Sequence, residues 1–168
     1  MQENPDLQFL KEKLFDACSL VLSAYQTDKE SSEYFACSYK LDSLNILGRS
    51  AKKTPIKSGF FVTLWKRKSD GPIRPLESAD EFDYTIVSVK EESNYGVFIF
   101  PKSTLAKNGV IKSSSKVGKR AFRLYPPWEK TNSKLAQKSQ TWQQDYFMEI
   151  DSSKAIDCQL AKSLLSFR

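Results

Sequence analysis

The sequence predicts a single α+β domain of about six mostly antiparallel strands, flanked by helices at both ends. Three observations carry that prediction. Apolar residues recur at three- and four-residue steps near both termini, they alternate singly through much of the middle, and no linker or internal repeat divides the 168 residues. That length suits one domain, taken as residues 1–168, and a composition 40% hydrophobic and 27% charged supplies a sizeable core beneath a polar surface.

Asn4-Pro5 reads as a helix N-cap followed by proline at the first helical position. Leu7, Leu10, Leu14, Cys18, Val21 and Tyr25 then form one stripe, which predicts a helix over about 5–25. From Glu33 the period becomes two: Tyr34, Ala36, Ser38 and Lys40 alternate with Phe35, Cys37, Tyr39 and Leu41, as in a strand, and residues 44–47 return as its hairpin partner. Residues 59–65, rich in aromatic and β-branched side chains, make a strong strand with Phe61, Thr63 and Trp65 on one face and Phe60, Val62, Leu64 and Lys66 on the other. A loop is expected over 68–75, with Gly71-Pro72 and Pro75. Residues 82–89 and 95–100 form an antiparallel pair, ended by Pro101 because proline has no N–H for the ladder. A short helix over 103–108 closes at Gly109, a strand over 119–125 stops at Pro126-Pro127, and residues 133–147 read as a helix. Ile156, Leu160, Leu164 and Phe167 predict a last helix over about 154–167.

Composition excludes several chemistries. With no histidine, neither a Ser-His-Asp nor a Cys-His nucleophile pair exists, and histidine-ligated zinc is excluded with them. The three cysteines form no Cys-x-x-Cys, and none of the 6 glycines falls in a phosphate-cradling spacing. The first residues are polar, and no run approaches the ~20 apolar residues a membrane helix needs. The expectation is a cytoplasmic protein, no membrane partner, and Cys18, Cys37 and Cys158 all reduced.

The net charge of +6 hides a polarised distribution: residues 1–48 sum to −4, residues 49–138 to +11 and residues 139–168 to −1. A basic centre between acidic ends fits a surface that faces a polyanion. Within it, Lys52, Lys53 and Lys57 with Thr54, Ser58 and Gly59 offer ammonium, hydroxyl and backbone donors suited to phosphate oxygens, and the following strand ends in Trp65-Lys66-Arg67-Lys68. Lys119 and Arg123 share one face of the next basic strand, roughly 13 Å apart, with Arg120 opposite. Tyr125 and Trp128 offer flat surfaces for bases, although each ring is equally suited to anchoring a core. In the amide-rich helix, Lys134 shares a face with Lys138 and Gln140 with Gln144, while Trp142 and Gln143 are placed to touch bases or sugars.

Asp80, Glu81 and Asp83 form the only acidic cluster in the basic centre, and Lys102 follows Asp83 by 19 residues. A metal-dependent nuclease core of the PD-(D/E)xK type would use Asp83 and Lys102, with Asp80 or Glu81 helping Asp83 to hold Mg²⁺. Phe100 stands in the slot where the second carboxylate belongs, which makes such a core catalytically crippled.

These segments resemble the MepB-like family of small bacterial proteins. The resemblance runs through Ala51-Lys52-Lys53-Thr54-Pro55, Gly59 to Arg67, Gly71-Pro72-Ile73-Arg74-Pro75, Gly96 to Lys102, Gly118-Lys119-Arg120, Tyr125-Pro126-Pro127-Trp128 and Gln140-Thr141-Trp142-Gln143 with Tyr146-Phe147. It covers most of residues 34–148 and leaves both terminal helices unmatched. What it implies is a companion of a multidrug efflux system, neither pump nor regulator, and a nucleic-acid-binding role on a degenerate restriction-endonuclease-like core. The leading expectation is therefore non-catalytic binding of nucleic acid, DNA foremost, without a cofactor. Its contacts are Lys52, Lys53, Lys57, Lys66, Arg67, Lys102, Lys119, Arg120, Arg123, Trp128, Lys138, Trp142 and Gln143. Alternatives are the Mg²⁺-dependent nuclease and an adaptor for an acidic protein or an anionic ligand.

Overall fold

The computed structural model describes residues 4–67 and 71–166, so Lys68 of the basic run and Phe167 of the last helical stripe lie outside the described residues. Asn4 caps the first helix by accepting from the Asp6 N–H at 2.8 Å, and Pro5 occupies its first position. This helix, α1 (Pro5–Leu10), runs on as a π-turn over Lys11–Phe15. Ser19 then adopts a left-handed φ of 58°, and the Leu20 N–H closes on the Phe15 carbonyl.

The helix expected to reach residue 25 thus stops near Phe15, and a strand, β1 (Leu22–Thr27), follows. It pairs antiparallel with β2 (Cys37–Leu41) through a register shift between Ser23 and Gln26, where Ala24 takes φ 55°. That irregularity brings Leu22 and Tyr25, three residues apart, to the same core, so a strand mimics helical spacing.

Hairpin β2–β3 (Leu44–Ser50) and hairpin β8 (Tyr84–Glu91)–β9 (Asn94–Pro101) lie side by side through a parallel β3·β8 pairing. Between β3 and β8 in sequence come β4 (Lys52–Lys53), β5 (Phe60–Thr63), β6 (Trp65–Arg67) and β7 (Ile73–Pro75). Part of the expected loop over 68–75 is therefore a strand, since Lys66 and Arg74 pair across a β6–β7 ribbon. After β9 come α2 (Lys102–Lys107), β10 (Ala121–Leu124), α3 (Lys134–Gln144), β11 (Phe147–Glu149) and α4 (Cys158–Leu164). The expected helices over 133–147 and 154–167 are both trimmed. Ser133 and Asp157 cap α3 and α4 at their true starts, and Phe147 leaves the helix to pair with Phe98.

Eleven strands replace the expected six among the described residues, because the central sheet does not hold them all. Its order is β1-β2-β3-β8-β9-β11, with a second sheet β10-β5-β4 and the β6–β7 ribbon beside it. β8 and β9 are buried on both faces. Tyr84, Ile86, Val97 and Ile99 meet Leu10, Leu14, Phe15, Ala161 and Leu164 on one side. Val87, Val89, Phe98 and Phe100 meet Phe60, Val62, Leu64, Phe122 and Leu124 on the other. The small sheet is thus a lid on the central one, with its own second face turned outward.

Cys18 and Cys158, expected reduced, form a disulfide with Cα atoms 5.2 Å apart. Their separation of 140 residues hid the contact, which joins the end of the N-terminal helical segment to the start of α4. Cys37 stays free and buried, and burial pushes its thiol up to about 11. No helix among the described residues is long and apolar enough to cross a membrane.

Two outcomes follow from this core. Reduction of Cys18–Cys158 lowers stability by up to about 5 kcal/mol from loop closure alone, which denaturant titration with and without dithiothreitol measures. Between pH 9 and 11 the unfolded chain gives up the Cys37 proton while the folded chain keeps it, so stability falls as pH rises through that window. Tyr39 and Tyr95, both raised by burial, act in the same direction. Denaturation series at pH 8 and pH 10.5 test the sign, and native Cys37 stays unreactive to iodoacetamide at pH 8.5.

Candidate nucleic-acid interface

β5 places Phe60, Val62 and the following Leu64 inward at 0% exposure, which turns Phe61 and Thr63 outward as the alternation predicted. The register of the small sheet then sets Lys52 directly across from Phe61 on one side and Arg123 directly across on the other. Arg123 lies 5.5 Å from the centre of the Phe61 ring, and its guanidinium donates to Thr54 Oγ1 at 2.8 Å and to the Ser58 carbonyl at 3.2 Å. Lys52 lies 5.1 Å from the centre of the Tyr34 ring, which in turn stands 6.1 Å from Phe61. The result is a row of cation, ring and cation across the outer sheet face, with a second ring beside it.

This face opens into a groove of about 360 Å³ between β10 and α3, lined by Phe61, Lys119, Arg123, Asn108, Leu135, Ser139 and Trp142 among others. Lys138 lies three residues after Leu135 and four before Trp142 on α3 but is not itself in the groove lining. Lys57 and Ile56 occupy the exposed loop that Arg123 holds through Thr54 and Ser58. Leu135, in the groove lining, is 78% exposed. Lys52, Lys57, Lys119, Arg120 and Lys138 are exposed and make no ion pair among the described residues.

Other expected contacts are engaged elsewhere. Lys53 faces inward to an ion pair with Glu129 and stands 3.7 Å from Glu91. Lys102 donates to the Asp80 carbonyl at 2.8 Å and lies 5.3 Å from the centre of the Phe82 ring. Trp128 packs against Phe60 and Phe147 and donates to Glu91. Gln143, expected to touch bases, is 1% exposed: it accepts from the Tyr125 N–H at 2.8 Å and donates to the Arg123 carbonyl at 2.9 Å. Gln140 likewise donates to the carbonyls of Pro126 and Glu129. The amides of α3 therefore complete the backbone of a segment that leaves the sheet at Pro126-Pro127.

The nuclease candidates are also committed to structure. Asp83 accepts from the Asn45 N–H at 2.7 Å, and Asp80 accepts from Arg74 and from the Glu77 N–H. Burial alone would raise the Asp80 carboxyl, but Arg74 and that N–H outweigh it and hold the group below its usual value. Phe100 is fully buried and stacked 5.4 Å from Phe98, in a strand register with no room for a hydrated carboxylate. Among the described residues no group of three or more His, Cys, Asp or Glu is placed to hold a metal.

Lys66 and Trp65 face a different cavity, of about 220 Å³, with Asp28, Glu30, Ser38, Arg49 and Glu81 in its lining. Arg67 stands 5.9 Å from the centre of the Trp65 ring. The basic residues therefore divide between the outer sheet face with its groove and this second cavity. Sequence reasoning missed Phe61, Asn108 and Leu135 as lining residues, Tyr34 as the ring beside Lys52, and Arg49 altogether. The one signal for Arg49 was a cation directly following the apolar Ile46-Leu47-Gly48.

Gln143→Leu leaves the Arg123 carbonyl and the Tyr125 N–H without partners inside the protein. At about 1–3 kcal/mol for each such group, the variant loses about 2–6 kcal/mol by urea denaturation. A side chain serving only to read bases would leave stability unchanged.

The chain is similar to the crystal structure of a protein called MepB, with a TM-score of 0.76 and 29% identity over 90% of this chain and 99% of that one. No curated protein matches it. The model of the MepB-like family matches residues 28–149, which takes in β2 to β11 together with the outer sheet face and the groove. The chain belongs to the MepB-like family.

Proposed function

We propose that the protein binds nucleic acid, single-stranded DNA foremost, without cleaving it. The observation that carries this reading is the row Lys52–Phe61–Arg123 across the outer sheet face, with Tyr34 beside it. Cations beside two exposed-face rings, tilted 55° to one another, suit a strand whose phosphates meet the cations while successive bases stack on the rings one at a time. Only unstacked bases reach such a face, which favours single strands over a closed duplex. Lys119 and Trp142 continue the same chemistry into the groove, with Lys138 exposed beside it on α3. The commitment of Asp80, Asp83 and Phe100 to internal contacts supports binding over hydrolysis.

Anisotropy with a labelled oligothymidylate, followed from 50 to 300 mM salt, tests the reading. The double variant Lys52→Ala/Lys119→Ala lowers the salt slope by about 1.4, at roughly 0.7 for each single-strand phosphate that is no longer neutralised. Phe61→Ala weakens binding by about 1–3 kcal/mol whatever the base, and labelled DNA stays intact with Mg²⁺ or Mn²⁺. An unchanged slope in the double variant overturns the proposal. Cleavage restores the nuclease reading, and capture of an acidic peptide in place of DNA replaces it with an adaptor.

A further inference from the structure

The second cavity contains a buried charge that the outer sheet face does not use. Arg49 is 3% exposed; its Nε donates to the Thr63 carbonyl at 3.2 Å and its Nη1 to the Gly48 carbonyl at 2.8 Å. Among the described residues these are the hydrogen bonds recorded for the guanidinium, and it closes no ion pair. Asp28 and Glu30 supply counter-charge across the cavity without closing an ion pair, so the guanidinium is left with donor capacity that faces a space a ligand can fill. Asp28 lines the same 220 Å³ space without closing on Arg49, and burial raises its carboxyl.

Cation and carboxylate that share a small cavity without touching select a bridging molecule. A phosphate or carboxylate ligand would meet Asp28 and Glu30, and a cationic one would meet Arg49 and Lys66. A neutral planar molecule with acceptors on one edge and donors on another satisfies both. Among the four bases, guanine alone offers two acceptors, O6 and N7, to a guanidinium while its N1–H and 2-amino group remain for a carboxylate. The cavity has room for a purine, and Trp65, with Arg67 over its ring, is one of its lining residues.

We infer that this cavity receives one guanine base, with O6 and N7 on Arg49, its donor edge on Asp28 and Glu30, and its ring against Trp65. The inference rests on the nucleic-acid reading above and names a preference within it. Phe61 of the outer face and Trp65 of the cavity are four residues apart, at most about 13 Å of extended chain. A strand crossing the outer face thus needs only a couple of nucleotides to deliver a base here.

Calorimetric titration with free nucleosides, which carry no phosphate, isolates this site. Guanosine binds at least tenfold more tightly than adenosine, cytidine or uridine. Asp28→Asn and Trp65→Leu each weaken guanosine at least tenfold and leave oligothymidylate binding unchanged, whereas Lys52→Ala leaves guanosine binding unchanged. Glu30→Gln decides the donor edge should Asp28→Asn fail to fold. Equal affinity for the four nucleosides, absence of guanosine binding, or indifference to these substitutions overturns the inference. Loss of oligothymidylate binding with guanosine binding intact overturns only the outer-face reading, and strand binding without guanosine preference overturns only this one.

Discussion

Burial of Phe60, Val62 and Leu64 against the central sheet is the constraint on which the candidate interface depends. Each such side chain gains about 1.5–3 kcal/mol from leaving water, so the register of β5 is fixed by the core and not by its surface. A slip of one residue would exchange both faces together, because the side-chain period of a strand is two. Phe61 is outward for that reason alone, and its partners across β4 and β10 follow. The adjacent residues Lys52 and Lys53 show how sharply the constraint acts: one borders the outward ring, and the other turns inward to Glu129 and Glu91.

The Tyr125-Pro126-Pro127-Trp128 segment depends on the same layer. Two prolines contribute no N–H, so this stretch cannot continue the β10 ladder. Its backbone is completed by Gln140 and Gln143 of α3, while Glu129 accepts from the Gly59 N–H at 2.7 Å and pairs with Lys53. Gly59 suits this junction because its φ is +90° and any Cβ there would lie 2.9 Å from the Leu124 carbonyl oxygen. Side chains that resembled a base-reading set in sequence are thus the ties holding α3 beside β10, and the groove exists because those ties set its width.

Much of the architecture was legible from period and punctuation. The β2–β3 and β8–β9 hairpins, the inward and outward faces of β5, and the Asn4-Pro5 start of α1 were all readable locally, because each is decided by residues within one element. The failures share a different cause. β1 read as helix because its bulge near Ala24 set Leu22 and Tyr25 three apart on one core, and the Cys18–Cys158 contact spans 140 residues. Of the site, Lys52, Lys119, Arg123 and Trp142 were visible as residue types, but Phe61 joined them only through pairing across strands and Tyr34 only through a turn before β2 that sets its ring beside Lys52 and Phe61. Gln143 misled because an amide meant for backbone carbonyls and one meant for bases are the same side chain until burial distinguishes them.

The distribution of charge follows from the same geometry more than from the net value of +6. Arg74 pairs with Asp80 and Lys53 with Glu129, so these two cations are matched locally by carboxylates already counted in the central sum. Lys52 and Arg123 are separated by one strand, about 10 Å at sheet spacing, and Arg123 finds only neutral acceptors in Thr54 and Ser58. Two unit charges at that distance in water repel by about 0.4 kcal/mol, little beside the burial that fixes β5. The fold therefore carries an uncompensated pair of cations across an aromatic strip at negligible cost to its own stability. Because that separation is only slightly more than the ~8 Å Debye length at physiological salt, their fields still overlap over the strip, where an anion would be attracted most.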